Sequence, residues 1–227
     1  SSVQSIADTA FYLSSVVTVN FATRSQLTSI GTQAFAGTAG LTSINLPRAL
    51  TTMGTLVFSG SGITSITIPE SVTEIPDSAF SNATSLTSVT FAANSQVTRI
   101  GASAFADTDS LSTIELPDGL TVIDASAFSY SGLEEITIPA SVTSIKDSAF
   151  ILSAALTSVT FESGSQLNLI EQSAFAYTAL TEIDFPEGVT AIPGDAVSSV
   201  PTLTRVSIPS TVTSIGSRAF AGATNLT

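Results

Sequence analysis

The sequence predicts a repeat solenoid, and three observations carry that expectation. All thirteen phenylalanines fall at only two positions of one pattern. Nine follow Ala or Val in an AF or VF pair (Phe11, Phe35, Phe58, Phe80, Phe105, Phe128, Phe150, Phe175, Phe220), and four (Phe21, Phe91, Phe161, Phe185) replace an Ile or Leu of a TSITIP-like segment. The pattern itself, L-T-S-I-x-I-P-x-x-V-T-x-I-x-x-x-A-F and a few small residues, opens at Val16, Leu41, Ile63, Leu86, Leu111, Leu133, Leu156, Leu180 and Leu203, with part-units before and after. An ordinary globular core does not ration its largest apolar residue in this way. A stack of coils does, because each coil presents the same side chain to the same column. Residues 1–227 therefore read as one domain of about nine full coils, rich in β-strand.

Each element follows from its residues. LTSITIP puts Ile at alternate positions, the period of a half-buried strand. Proline then ends the strand because it lacks the ladder N–H, at Pro47, Pro69, Pro117, Pro139, Pro186 and Pro209. The next segment, of the VTSI kind, spaces its apolar residues three apart and is expected to bend the chain around the core. The SAF segment buries Ala and Phe and is expected to hold a short helical or 3₁₀ turn. Small residues close the coil. One coil cannot bury its own Phe and Ile, so neighbours must stack, about 4.8 Å apart where strands pair.

A longer period lies above the coil. The units at Val16, Leu86 and Leu156 share a different middle, FATRSQLTSI, FAANSQVTRI and FESGSQLNLI, in which a Ser-Gln loop replaces the strand-ending proline. These units begin 70 residues apart, so the true repeat is one long coil followed by two short ones. Triplet duplication explains it simply; a function needing a special loop on every third coil is the alternative.

The motif LTSIxIPxxVTxIxxxAF, with its Phe after Ala, its Pro after the strand and its spacing of 22 to 25 residues, resembles the BspA-like leucine-rich-repeat family over almost the whole chain. The resemblance implies a right-handed, curved leucine-rich-repeat superhelix with a sheet on its concave side. It also implies a surface-displayed or secreted protein used in adhesion and partner binding. The chain departs from the pattern at Val57, which stands for Ala, and at Val197, which stands where Phe belongs. Many family units carry a Cys that this chain lacks. The shared motif is structural throughout, so it transfers the fold more firmly than the function.

Composition narrows the chemistry. With no Cys and no His there is no disulfide framework, thiolate metal site or histidine-dependent triad. A net charge of −12 argues against nucleic acid and anionic membranes as partners. No apolar run approaches the roughly 20 residues that span a bilayer. No signal peptide is visible and residue 1 is Ser, which reads as a processed chain or a segment. No nucleophile–base pair, metal cluster or phosphate loop appears, so no enzyme and no cofactor are expected.

The candidate binding face is the outward row of strand positions: Ser65, Thr67, Ser88, Thr90, Thr113, Glu115, Glu135, Thr137, Ser158, Thr160, Glu182 and Asp184. These groups suit hydrogen bonding to a protein or glycan ligand, the usual use of a repeat protein's sheet face. Strand propensity and solubility are the simpler account of the hydroxyls. Glu134, Glu135, Glu182 and Asp184 offer the oxygens that Ca²⁺ takes, although a solvated acidic face explains them as well. Glycoside hydrolysis by paired carboxylates is disfavoured on an open sheet without Trp. Asn82 and Asn225 match the N-x-S/T glycosylation sequon. Charge is uneven, with Asp8 the only acid in residues 1–69 and seventeen acids in the remainder. The part-units at both ends look uncapped. This suggests a segment of a longer surface protein or, as the alternative, a filament subunit that stacks on other copies end to end.

Overall fold

A computed structural model describes residues 2–227. The chain winds as a stack of coils with three sides: a strand side, a second strand side, and a side made of turns. All strand pairing is parallel. This is the predicted solenoid of about nine coils.

The first side carries the LTSITIP strands. Ser65–Ile68 pairs with Ser88–Phe91, Glu135–Ile138 with Ser158–Phe161, and Glu182–Asp184 with Arg205–Ser207. Alternation is as expected: in Ser65–Ile68 the two Ile are buried and Ser65 and Thr67 are exposed. Each strand-ending proline also opens the next turn, its carbonyl accepting the N–H three residues on, as in Leu50 to Pro47 (3.0 Å) and Val142 to Pro139 (3.0 Å).

The second side differs from the expected simple bend. The VTSI segments form ladders of their own, two residues per coil. The longest runs through Glu74–Ile75, Arg99–Ile100, Val122–Ile123, Ser144–Ile145 and Leu169–Ile170. Each inward Ile fills the core, while the residue before it is exposed at Glu74 and Leu169, half-buried at Arg99 and Val122, and buried at Ser144. Threonine adds to the backbone ladder: Thr121 Oγ1 donates to the Thr98 carbonyl at 2.9 Å, and Thr51 Oγ1 to that of Thr28 at 3.1 Å.

The third side corrects the sequence reading. No helix or 3₁₀ turn forms at the AF segments among the described residues. Two residues per coil, four apart and flanking Ala-Phe, adopt positive φ instead: Gln33 and Gly37, Ser78 and Asn82, Ser126 and Tyr130, Ser173 and Tyr177. Alternate N–H groups then serve different partners. Ala36 N–H closes a turn onto Gln33, while Gln33, Phe35 and Gly37 donate to Thr55, Val57 and Ser59 of the next coil. A helix would have turned those donors inward along its own axis and left the neighbouring coil without them. The left-handed geometry costs about 1–2 kcal/mol for an ordinary L-residue, and the inter-coil bonds offset it.

On the turn side the direction is consistent: the earlier coil donates to the later one. The parallel strands exchange bonds both ways, Thr87 donating back to Thr64 (2.8 Å) and Phe185 forward to Ser207 (3.1 Å).

The core is a set of columns. Phe11, Phe35, Phe58, Phe80, Phe105, Phe128, Phe150 and Phe175 stack continuously, with centroids 4.9 to 5.6 Å apart and rings within 10° of parallel. Val197 occupies the next step, fully buried. Coils approach closely where glycine stands: a Cβ on Gly132 would collide with the Asp109 carbonyl of the preceding coil.

The 70-residue period is visible in the fold. The inserted loops share one geometry. Ser25, Ser95 and Ser165 each close a turn through their N–H, onto Ala22, Ala92 and Glu162, and accept the N–H two residues on through their hydroxyl. The same long coils place Thr38, Thr108 and Thr178 after the core Phe. There the threonine hydroxyl donates to the Phe carbonyl at 2.7 to 2.9 Å. In several short coils a backbone N–H does this instead, as Ser61 does to Phe58 and Ala83 to Phe80.

Candidate functional site

The alternation of the LTSITIP strands puts all twelve predicted face residues on one side, and all twelve are exposed. The structure divides them into groups. Ser65 and Thr67 stand in register with Ser88 and Thr90. Glu135 and Thr137 stand in register with Ser158 and Thr160. Glu182 and Asp184 stand opposite Arg205 and Ser207.

Thr113 and Glu115 belong to none of these ladders, because residues 113–116 pair with neither neighbouring strand. The inserted loop of the long coil at Leu86, residues 92–96, lies beside this gap, and the sheet opens on either side of residues 113–116. One cleft of about 550 Å³ lies between Ser88–Phe91 with its loop and residues 113–119. A second, of about 480 Å³, lies between residues 113–116 and the pair Glu135–Ile138 and Ser158–Phe161. The equivalent loop at residues 21–26 borders a cleft of about 490 Å³ against residues 45–49. A cleft thus recurs beside two of the inserted loops, with Arg24 and Arg48 at the first, where Val19 and Ile44 still bridge, and Glu115 and Asp118 at the second.

Charge on this face is handled in two ways. Arg205 reaches both Glu182 (2.9 Å) and Asp184 (3.0 Å), and these two hydrogen bonds raise its pKa above the ordinary arginine value. The proposed acidic oxygen cluster is therefore divided, with its Glu182–Asp184 half turned to a cation of the chain itself. Among the described residues no three acidic side chains converge as a metal-binding set. Among the described residues Glu115 and Glu135 form no ion pair, and they face the clefts. Both sequon residues, Asn82 and Asn225, are exposed.

Two groupings escaped the sequence reading. On the second strand side Arg99 bonds Asp77 (2.6 Å), Asp124 (3.0 Å) and Glu74 (3.3 Å). Burial lowers its pKa, but the bonds to Asp77 and Asp124 outweigh burial and the net shift is upward. The signal was present: Glu74 and Arg99 hold the same template position, just before the core Ile, in adjoining coils. On the turn side Tyr130, Leu152 and Tyr177 stand at one position, two residues after the core Phe, in three successive coils.

The comparisons agree with this architecture. Residues 4–133 and 98–227 match the model of the BspA type leucine rich repeat region, present in six copies. No curated protein matches the chain. Three solved structures share the fold. A leucine-rich repeat protein from Bacteroides ovatus is 24% identical, with 99% of this chain and 75% of that one covered and a TM-score of 0.53. The leucine rich repeat protein of T. pallidum is 22% identical over 98% and 82%, at 0.56. One from Eubacterium ventriosum is 21% identical over 96% and 80%, at 0.52. A chain matched by the family model over nearly its whole length, and built as stacked leucine-rich coils, belongs to the BspA-type leucine-rich repeat family.

Proposed function

We propose that the chain is a non-enzymatic binding and adhesion module displayed outside the cell, whose sheet face seats a protein or glycan ligand. The observation that carries this reading is the opened sheet around residues 113–116. Two adjoining clefts there are lined by exposed hydroxyls and by the carboxylates of Glu115 and Glu135, which form no ion pair among the described residues. Such a surface recognises a partner by hydrogen bonds and charge, and the rigid coils behind it hold those groups in place without ordering cost on binding. Family membership supports the extracellular setting.

The test is retention on a surface. Beads bearing the purified chain are presented to immobilised mucin glycans and extracellular matrix proteins. They are compared with beads bearing Thr113→Lys, Glu115→Lys and Thr137→Lys together. Loss of capture with an unchanged circular-dichroism spectrum supports the sheet face. Equal capture by both sinks it.

Stacking of copies into a filament is a second reading, favoured by the direction of the inter-coil bonds. Every coil offers a donor edge on one side of its turn run and an acceptor edge on the other, so two copies are complementary head to tail. Sedimentation that stays monomeric as concentration rises removes this reading.

A further inference from the structure

We propose that the turn side carries a separate glycan-binding strip, made by Tyr130, Leu152 and Tyr177, that takes an extended β-1,4-linked chain of gluco-configured sugars along the solenoid axis. Three observations on that side converge.

The first is what the position normally holds. It has positive φ in every coil, and elsewhere in the column stand Gly37, Gly60, Asn82, Asp107, Ser199 and Gly222, with Leu13 the other bulky occupant among the described residues. In three successive coils it holds Tyr (φ 54°), Leu (φ 60°) and Tyr (φ 58°) instead. Bulky side chains there work against the backbone.

The second is exposure. Tyr130 is 51% and Tyr177 48% exposed, and neither hydroxyl makes a hydrogen bond among the described residues. The rings therefore serve neither the core nor a polar network. The core already has its own aromatic column two residues earlier.

The third is spacing, which decides the occupant. Beneath the strip, Phe128 and Phe175 each lie 5.3 Å from Phe150, so Tyr130 and Tyr177 stand two coil steps apart with Leu152 between. An extended β-1,4 chain advances by about one coil step per sugar and returns the same ring face after two. Equatorially substituted pyranoses offer flat C–H faces that pack on an aromatic ring. One sugar then lies on each Tyr and one over Leu152. The Ser126 and Ser173 hydroxyls, one column away and unpaired among the described residues, supply edge hydrogen bonds. A protein partner fits less well, because a stable interface buries about 800 Å² on each side and this strip is one side chain wide.

The experiment is calorimetric titration of the chain with cellohexaose and chitohexaose, which share the backbone and differ in source, and with coiled, α-linked maltohexaose. Saturable binding of either β-linked hexaose, and none of maltohexaose, is expected. Tyrosine emission should report it directly, because the chain has no Trp and two of its three Tyr are in the strip. Tyr130→Asn with Tyr177→Asn should weaken binding at least about tenfold. The same variant should melt no lower than the parent, since Asn82 already holds this position in another coil. Glu115→Gln with Glu135→Gln should leave hexaose binding unchanged, which separates this strip from the sheet face. The proposal is overturned by no binding of either β-linked hexaose, by equal binding of maltohexaose, or by unchanged affinity in the Asn variant. It is also overturned if that variant only abolishes self-association, which would make the strip a contact between copies.

Discussion

Phe105 and Phe128 stack with their ring centroids 5.3 Å apart and their planes 9° from parallel. Phe80 stacks on the opposite face of Phe105 at the same 5.3 Å. Phe105 is thus held between two rings with no solvent exposure. Phe105→Ala should cost about 3–5 kcal/mol, because it empties a central step of the column that neighbouring coils cannot close. Chemical denaturation reads this directly. An unchanged midpoint would mean that the column does not hold the coils together.

Val197 tests the column from the other side. It is buried where the template has Phe, and Val200, three residues on, stands where other coils have Ser, Thr or Ala. Two changes of opposite sense in one coil point to volume compensation. Val197→Phe alone should overpack the coil and cost about 1–3 kcal/mol. Adding Val200→Ala should recover most of that loss. Additive effects in the double-mutant cycle would show that the two side chains do not share space.

Thr108 is a buried hydroxyl with one task. It donates to the Phe105 carbonyl at 2.8 Å. Thr108→Val keeps the shape and removes the donor, so that carbonyl is left unpaired. The expected loss is about 1–3 kcal/mol. The same change at exposed Thr67 or Thr90, which keeps β-branched geometry on a strand, should stay within about 0.5 kcal/mol. Parallel thermal melts of the three variants separate the two kinds of threonine. Equal melting temperatures would refute the distinction.

Arg99 joins three acids from two neighbouring coils across one strand. Its side chain is 31% exposed, so solvent screens the cluster only in part. Arg99→Met should destabilise by about 1–3 kcal/mol, because it leaves Asp77 and Asp124 without their charged donor. Its pKa is raised, so its stabilising share is fully present below the ordinary arginine value. That share is lost only as pH climbs through the higher folded-state value. The stability difference between parent and variant should therefore stay flat from neutral to mildly alkaline pH and shrink with added salt. A difference that changed between neutral and mildly alkaline pH would contradict this assignment.

The fold was legible because its core is columnar. A residue type rationed to one template position, as Phe is, fixes which side chains meet, and Phe105 lies between Phe80 and Phe128 as the repeat requires. Strand alternation likewise placed Ser65, Thr67, Ser88 and Thr90 outward. The turn side was not legible. Ser78, Ser126 and Ser173 give no local sign of positive φ; their conformation is imposed by the next coil, whose carbonyls need donors. Nor was the opened sheet at residues 113–116 readable, since Thr113 and Glu115 sit on a regular template segment. The cleft beside them is bordered by the loop of the preceding coil. Strand alternation therefore set which candidate residues are exposed, while their grouping, and the ion pairs of Arg205 with Glu182 and Asp184, depended on three-dimensional spacing.

The one-way hydrogen bonding of the turn runs bears on the order in which coils assemble. A coil leaving the ribosome first already holds out the N–H groups of its turn run, as Gln33, Phe35 and Gly37 do, before the acceptors at Thr55, Val57 and Ser59 have been synthesised. Its strand carbonyls wait in the same way for the next coil's donors. Each finished coil is then a template for the one that follows, and only neighbours roughly one repeat apart need meet. Loop closure stays short at every step. Such a chain is suited to folding vectorially as it is made, winding up from its first coil without waiting for its last.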